Sequence, residues 1–382
     1  MGGVQFSTLY LIEELRLYEN IETHLFLPKE GKFSKLCREK FIQYSFYHPQ
    51  SMFSTSISLF YDLIRIPNPI AWIWNILNIL NNSFRIRKII KKHQNAVILS
   101  KGLHSHIVTT IANRKFPNKL IWHLQDLISK RFGNIFLKLI NYLAKIGPNQ
   151  IICDGSSIFN SLSKQNQSKS TIILNGVRSD LFRRDYRHRT FGRKELNIPN
   201  NSYVIGHVGR FTPWKGQIKL VEAFINYSKK NSQAILLLIG APIFDTSLYI
   251  NKIKNIISRN ALEDRIILSG FRSDLDKMFS IMDLFIYPSI EKDTSPLALL
   301  SAISSGLPVA VSSIESLREI IEKVPTITLF NPLIVSEIES IYKKFEDHKL
   351  RLESGNSINL EFENHFNISK NTKKMIKVIN SV

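Results

Sequence analysis

The stretch Asp283–Pro308, DLFIYPSIEKDTSPLALLSAISSGLP, constrains the fold more than any other part of the chain. Asp283–Pro288 reads as a short buried strand, apolar and aromatic and stopped by a proline. The polar loop Ser289–Ser295 follows, with acids at Glu291 and Asp293. Pro296 stands where proline is tolerated, in the first turn of a helix expected to reach about Ser305. Gly306 ends that helix, and Leu307–Val311 begins another buried strand. This is the repeating unit of an open parallel α/β sheet. Such sheets bind ligands at the carboxyl ends of their strands, and their helix N-termini attract anions. An ordinary βαβ unit without a site has the same pattern, so the stretch specifies architecture and only nominates chemistry.

A chain of 382 residues, 44% of them apolar, is long enough for two domains that each bury a core. Cys37 and Cys153 form neither a disulfide framework nor a metal-ligand cluster, which points to a reducing, cytoplasmic setting. No signal-peptide pattern opens the chain. The charge-free stretches Phe41–Tyr61 and Ile66–Phe84 are interrupted by Ser, Asn, Gln and Pro, so neither supplies the roughly 20 apolar residues of a spanning helix. Of the net charge of +20, residues 1–180 carry +13. With no zinc finger or RNP-like motif in the chain, the expected partner is an anionic membrane surface or glycan rather than nucleic acid. Generic surface lysines are the alternative.

Gly2-Gly3 opens a helical pattern in which Val4, Thr8, Leu11, Ile12 and Leu15 share a face, and Ile21–Leu27 reads as a strand. A Gly-Gly turn normally follows a strand, so a first strand is expected to be missing. Residues 70–92 form a long helix with a narrow polar stripe of Asn75, Asn78, Asn82, Arg85, Lys88 and Lys92. Its tryptophans and lysine-rich end suit a lipid interface; a helix buried among neighbours, with a solvated basic tip, suits the same pattern. Ala96–Ser100, Leu120–Leu124, Gln150–Cys153 and Thr171–Leu174 read as strands alternating with helices. His123 and Asp126 lie at a strand's C-terminal end, where His123 is either catalytic or structural. The charge-dense segment Leu181–Asn201 reads as an interdomain connection, after which a second α/β alternation begins at Tyr203.

V-G-R-F-T-P-W-K-G at 208–216, G-F-R-S-D-L at 270–275, D-L-F-I-Y-P-S at 283–289 and S-A-I-S-S-G-L-P-V at 301–309 occur in order. Together they resemble the nucleotide-sugar half of glycosyltransferase family 4, retaining enzymes of the GT-B fold. I-I-L-N-G-V at 172–177 resembles that family's turn before the hinge. The resemblance implies an α/β chain of two Rossmann-like domains with a cleft between them. Residues 1–180 would be the acceptor side and 181–360 the nucleotide-sugar side, with 361–382 returning to the first domain.

By that resemblance Arg210 and Lys215 are the diphosphate-binding pair, and fixed cations there suit a leaving group that gains negative charge. Gly3, Gly209, Thr294, Ser295, Pro296 and Leu297 would add backbone donors or close approach, and Phe271 and Arg272 occupy the nucleobase loop. No metal or cofactor is implied. Asp274-Leu275-Asp276 mimics a metal motif but reads as helix capping. The family has two glutamates with seven residues between them, the first on the donor sugar and the second on the ribose; here that register holds Asp293 and Ser301. Losing the second carboxylate costs ~1.5–3 kcal/mol of donor affinity if nothing replaces it. The implied activity is transfer of a sugar from a UDP- or GDP-linked donor to a glycan or lipid-linked hydroxyl in surface polysaccharide or lipopolysaccharide synthesis, at the inner face of the membrane. A non-catalytic GT-B scaffold and a nucleotide-sugar epimerase are the alternatives.

Overall fold

A computed structural model of the chain describes residues 2–54, 56–59, 64–128, 134–242, 247–291 and 293–382. Met1 of the opening turn and Lys292 of the acidic loop lie outside them. The chain divides into two compact units, Met1–Ile173 with Thr372–Val382, and Leu174–Asn371.

The first unit runs α1 (Gly3–Leu15), β1 (Leu25–Leu27), α2 (Lys32–Glu39), β2 (Tyr44–Phe46), β3 (Ser56–Leu59), β4 (Ile64–Pro67), α3 (Pro69–Lys92), β5 (Ile98–Lys101), α4 (Leu103–Asn113), β6 (Leu120–Leu124), α5 (Ile135–Ile146), β7 (Gln150–Cys153), α6 (Ser156–Ser161), α7 (Lys164–Gln167) and β8 (Ser170–Ile172). The strands β5-β6-β7-β8 pair in that order, all parallel. Alternate residues of β6 serve opposite faces, as the period of two requires. Leu120, Trp122 and Leu124 pack with Ile79 of α3, Ile107 of α4 and Ile140 of α5. Ile121 packs on the other side with Leu11 and Leu15 of α1 and with Met375 and Val378 of the C-terminal helix. The strand expected over Ile21–Leu27 is confined to β1, which among the described residues pairs with β2 alone.

Helix α3 is inverted relative to the usual surface helix. Its asparagines are buried: the Asn75 side-chain amide accepts from the Phe53 N–H and donates to the Phe53 carbonyl, both at 2.8 Å, the Asn78 amide donates to the Ser51 carbonyl, and the Asn82 amide oxygen accepts from the Gln50 N–H. The extended backbone 50–53 is thereby held along the helix as a neighbouring strand would hold it. Of the expected polar stripe the three asparagines are therefore internal, whereas Arg85, Lys88 and Lys92 are exposed; the apolar side faces outward, which removes the reading of α3 as buried among neighbours.

The second unit runs α8 (Tyr186–Glu195), β9 (Tyr203–Val208), α9 (Gln217–Ser228), β10 (Ala234–Ile239), α10 (Ser247–Arg259), β11 (Ile266–Gly270), α11 (Leu275–Ile281), β12 (Leu284–Tyr287), α12 (Leu297–Ser304), β13 (Val309–Ser312), α13 (Arg318–Lys323), β14 (Thr328–Phe330), α14 (Val335–Lys344), α15 (His348–His365) and the start of α16 (Ile368–Asn380). Its six strands are all parallel in the order β11-β10-β9-β12-β13-β14. In units of appearance this is 3-2-1-4-5-6, the doubly wound arrangement, and its strand order reverses between β9 and β12. Strands β9, β10, β12 and β13 are buried throughout, which explains their continuous apolar runs.

The segment expected as an interdomain connection is built into this second unit. Asp185 caps α8, accepting from the Arg187 and His188 N–H groups. Arg193, fully buried, donates to the carbonyls of Ile281, Pro199, Asn200 and Ser202 and to Asp283 at 2.8 Å. Asp283 also accepts from Arg189 and from the Val204 N–H. One guanidinium thus fixes α8 to the starts of β9 and β12. Arg193→Met, which keeps the volume and removes the donors, is expected to destabilise the chain by about 3–5 kcal/mol in urea unfolding, because it leaves a buried carboxylate short of its partner.

His207 on β9 is buried, with Nδ1 donating to the Ile286 carbonyl at 3.0 Å. Burial lowers its pKa to about 4, so the folded chain keeps it neutral where the unfolded chain, near 6.5, takes up a proton. The stability this confers is complete above pH 6.5 and is lost as pH falls toward 4. His207→Gln is expected to flatten the pH dependence of unfolding in that window by up to about 3 kcal/mol, read from urea midpoints at pH 7 and pH 4.

Candidate active site

The reversal of strand order places the loops after β9 and β12 side by side at the carboxyl edge of the sheet. After β9 the chain makes a 3₁₀ turn, Pro213–Lys215, and enters α9 through Gly216 at φ 73°. A Cβ on Gly216 would stand 2.2 Å from the Pro288 carbonyl oxygen, so only glycine lets the two loops approach this closely. The Ile290 N–H donates to the Trp214 carbonyl at 2.8 Å and completes the contact.

Lys215 is buried at 6% exposure. Its ammonium donates to Asp293 at 2.5 Å and to the Tyr287 hydroxyl, and lies 4.5 Å from the Trp214 ring centroid. The same Asp293 oxygen accepts from the Tyr287 hydroxyl at 2.8 Å and from Ser289. Burial pulls the Lys215 pKa down, and Asp293 opposes that shift. Tyr287 is pushed well above its ordinary range, by burial first and by Asp293 second, and stays a neutral donor. Arg210 is exposed on the loop that follows β9, and its charge opposes that of Lys215 as the weakest of the influences on the buried ammonium. The Arg210 backbone is fixed by Gln217, which donates to its carbonyl at 2.7 Å. Gly209, one residue earlier, follows the end of β9 directly.

Helix α12 begins at Leu297, with Pro296 as an extended N-cap and no side-chain cap. Its start is therefore one residue later, and its end one residue earlier, than the sequence pattern implies; Gly306 follows at φ 68°. Thr294 and Ser295 are buried in the preceding loop. Ser295 is held by Asn175, whose N–H donates to the hydroxyl at 2.8 Å and whose side-chain amide donates to the Ser295 carbonyl at 2.9 Å. Asn175 belongs to the I-I-L-N-G-V turn, so two motifs 120 residues apart meet here. Ser301 is buried in the body of α12.

Phe271 and Arg272 lie beyond β11, Phe271 exposed. The Arg272 guanidinium makes a two-pronged pair with Asp274 at 2.8 and 2.7 Å and binds Glu195 at 2.5 Å. Those carboxylates raise its pKa. Asp274 is the N-cap of α11 by position, but its carboxylate makes no cap hydrogen bond and is committed to Arg272, which corrects the capping expectation.

The first unit holds a second polar cluster at the ends of β5, β6 and β7. His123, 4% exposed, donates through Nε2 to Asp154 at 2.5 Å. Gln125 donates to Asp154 at 2.9 Å and to Ser7 at 3.1 Å, and Lys101 donates to Ser7 at 3.1 Å. Burial lowers the pKa of His123, and it lowers that of Lys101 to about 8. His123 is thus a neutral, internal residue oriented by Asp154. Gly3 is the first residue of α1, with open space where a Cβ would stand. Asp154, Lys101, Gln125 and Ser7 carry no spacing signal in the sequence; Tyr287 and Ser289 lie within D-L-F-I-Y-P-S, where they read only as a strand residue and a loop residue. Among the described residues no group of three or more His, Cys, Asp or Glu side chains is placed to hold a metal ion.

Residues 188–351 match the family described as glycosyl transferases group 1. An Escherichia coli UDP-Gal:alpha-D-GlcNAc-diphosphoundecaprenol alpha-1,3-galactosyltransferase is 27% identical over 215 residues, 54% of this chain and 53% of that protein. An uncharacterized glycosyltransferase of Methanocaldococcus jannaschii is 25% identical over 72% of this chain and 69% of its own length. The chain spans about half the length of the Escherichia coli relatives it matches. Among solved structures, Anabaena HepE in complex with UDP and glucose superposes with a TM-score of 0.82 at 19% identity, covering 100% of this chain and 96% of that one. Sucrose-phosphate synthase from Thermosynechococcus elongatus gives 0.70 at 16% identity, over 94% and 95%. The chain has the GT-B fold, and its residues 188–351 are a domain of the glycosyl transferases group 1 family.

Proposed function

We propose that the chain is a retaining glycosyltransferase that moves a hexose from a nucleotide-diphosphate sugar to a hydroxyl of a glycan or lipid-linked acceptor. The carrying observation is the buried Lys215 ammonium, held by Asp293 and Tyr287 at the switch point of the second sheet, with the exposed Arg210 five residues earlier on the same loop. In the reaction the anomeric carbon–phosphate oxygen bond breaks and the acceptor oxygen bonds the same carbon from the leaving-group face. The acceptor's proton passes to the departing diphosphate. The nucleoside diphosphate thereby gains charge, and Arg210, Lys215 and the N–H groups opening α12 stabilise it. No side-chain nucleophile and no bound metal takes part in this scheme. Asp293 would hold Lys215 until the donor arrives and then accept hydrogen bonds from the sugar. His123, buried on Asp154, would act from the acceptor side.

A UDP-linked donor is favoured by the relative named as a UDP-Gal transferase and by the UDP bound in HepE. A lipid-linked acceptor at the cytoplasmic face of a membrane is favoured by that relative's diphosphoundecaprenol substrate, and surface-polysaccharide synthesis by a relative named for O-antigen biosynthesis. GDP-linked donors belong in the same panel.

The buried Ser301, where the family carries a carboxylate, favours a second reading, a GT-B scaffold without turnover. Donor hydrolysis and transfer measured with a panel of UDP- and GDP-sugars separate the two, since a scaffold releases no nucleotide and an epimerase returns a rearranged donor. Arg210→Ala and Lys215→Ala are each expected to lower kcat at least tenfold; full activity in both variants sinks the assignment of the diphosphate site. Ser301→Glu is expected to tighten nucleotide-sugar binding about tenfold or more in calorimetry. Unchanged or weaker binding shows that position 301 does not face the ribose.

A further inference from the structure

Helix α3 turns a long apolar face outward. Ile70, Ile73, Leu77 and Phe84 recur at 3.6-residue spacing, and each is more than half exposed. Trp74 and Leu80 lie in the same stripe, and the next turns of that face carry the exposed Lys88, Lys91 and Lys92. Helix α5 repeats the arrangement: Ile135, Leu139, Tyr142 and Ile146 form an exposed stripe at i, i+4, i+7 and i+11, flanked by the exposed Lys138 and Lys145. Both helices contact α4 and both feed the core on one face of the first sheet, so the two stripes belong to one helical layer.

We propose that α3 and α5 together form a docking surface for an anionic lipid bilayer. Two observations choose this occupant. Apolar side chains with tryptophan, ending in lysines, match the acyl boundary and the headgroups that lie above it. Over residues 63–153 the sequence holds fourteen Lys and Arg against the single acid Asp126, so the layer carries one sign of charge. A second copy of this chain would meet it with the same charge and be repelled, whereas anionic lipid complements it. No described helix is long and apolar enough to cross a membrane, so the contact is one of lying on the surface. The transferase reading gives the surface its use, a lipid-linked acceptor presented at the bilayer, but the binding is tested without donor or acceptor, and its failure leaves that reading standing.

The experiment is flotation of the full chain with vesicles of three parts phosphatidylcholine to one part phosphatidylglycerol, and with phosphatidylcholine alone. The chain is expected to float with the anionic vesicles, at least tenfold more weakly with the neutral ones, and less as salt rises. Ile73→Glu with Leu77→Glu, and separately Leu139→Glu, should each lower binding at least tenfold while leaving the melting temperature unchanged, since these side chains are exposed. Lys88→Gln, Lys91→Gln and Lys92→Gln together should remove most of the preference for anionic lipid. Absence of wild-type binding overturns the proposal, as does wild-type binding that none of the variants weakens. Sedimentation showing a wild-type dimer that Ile73→Glu with Leu77→Glu dissociates overturns it too, by assigning the face to a second copy.

Discussion

A lysine ammonium out of water is costly unless a carboxylate and further acceptors surround it, and the second unit is arranged so that Lys215 has them. The reversal between β9 and β12 sets two loops together, Gly216 lets them close, and the β12 loop then supplies Tyr287, Ser289 and Asp293 to one point. Each donor to Asp293 comes from a different part of the loop pair, so the loop conformations and the ion pair specify one another. The result is a positive charge fixed in place before any ligand arrives, which is what stabilisation of a developing anion requires.

That arrangement was partly legible in the sequence. Buried parallel strands are continuous apolar runs, so β9, β10, β12 and β13 stand out, and the glycines and prolines between them mark their loops. Arg210, Lys215 and Asp293 were found because they lie in motifs. Their joint placement was not, because Lys215 and Tyr287 are 72 residues apart and nothing local encodes that distance. The same limit explains Arg272: Asp274 is two residues away and readable as a partner, but Glu195 is 77 residues distant. In the first unit the strands β1 and β2 have only three residues each, too few for a period to emerge.

The polarity of α3 shows a different limit. A periodic pattern tells which residues share a face but not which face is inside. Composition favours burying the Ile, Leu and Trp side; the structure buries Asn75, Asn78 and Asn82 instead, because each meets an unpaired backbone group of residues 50–53. Buried amides are acceptable when satisfied, and an extended segment without a sheet neighbour offers the complementary groups. Only the position of that segment, fixed by the rest of the unit, decides the inversion.

Arg210 and Lys215 are not interchangeable parts of one positive patch. Lys215 is buried, paired with Asp293 and with its pKa drawn down by burial, so it offers a single point of charge held by its partners. Arg210 is exposed, with its backbone carbonyl held by Gln217, and in the proposed reaction its planar fork would follow a phosphate group as its charge grows. The division assigns position to the buried cation and adaptation to the exposed one. In the proposed transfer, a diphosphate that binds as one species and leaves as another would use both, and the eight residues after β9 carry them on one loop.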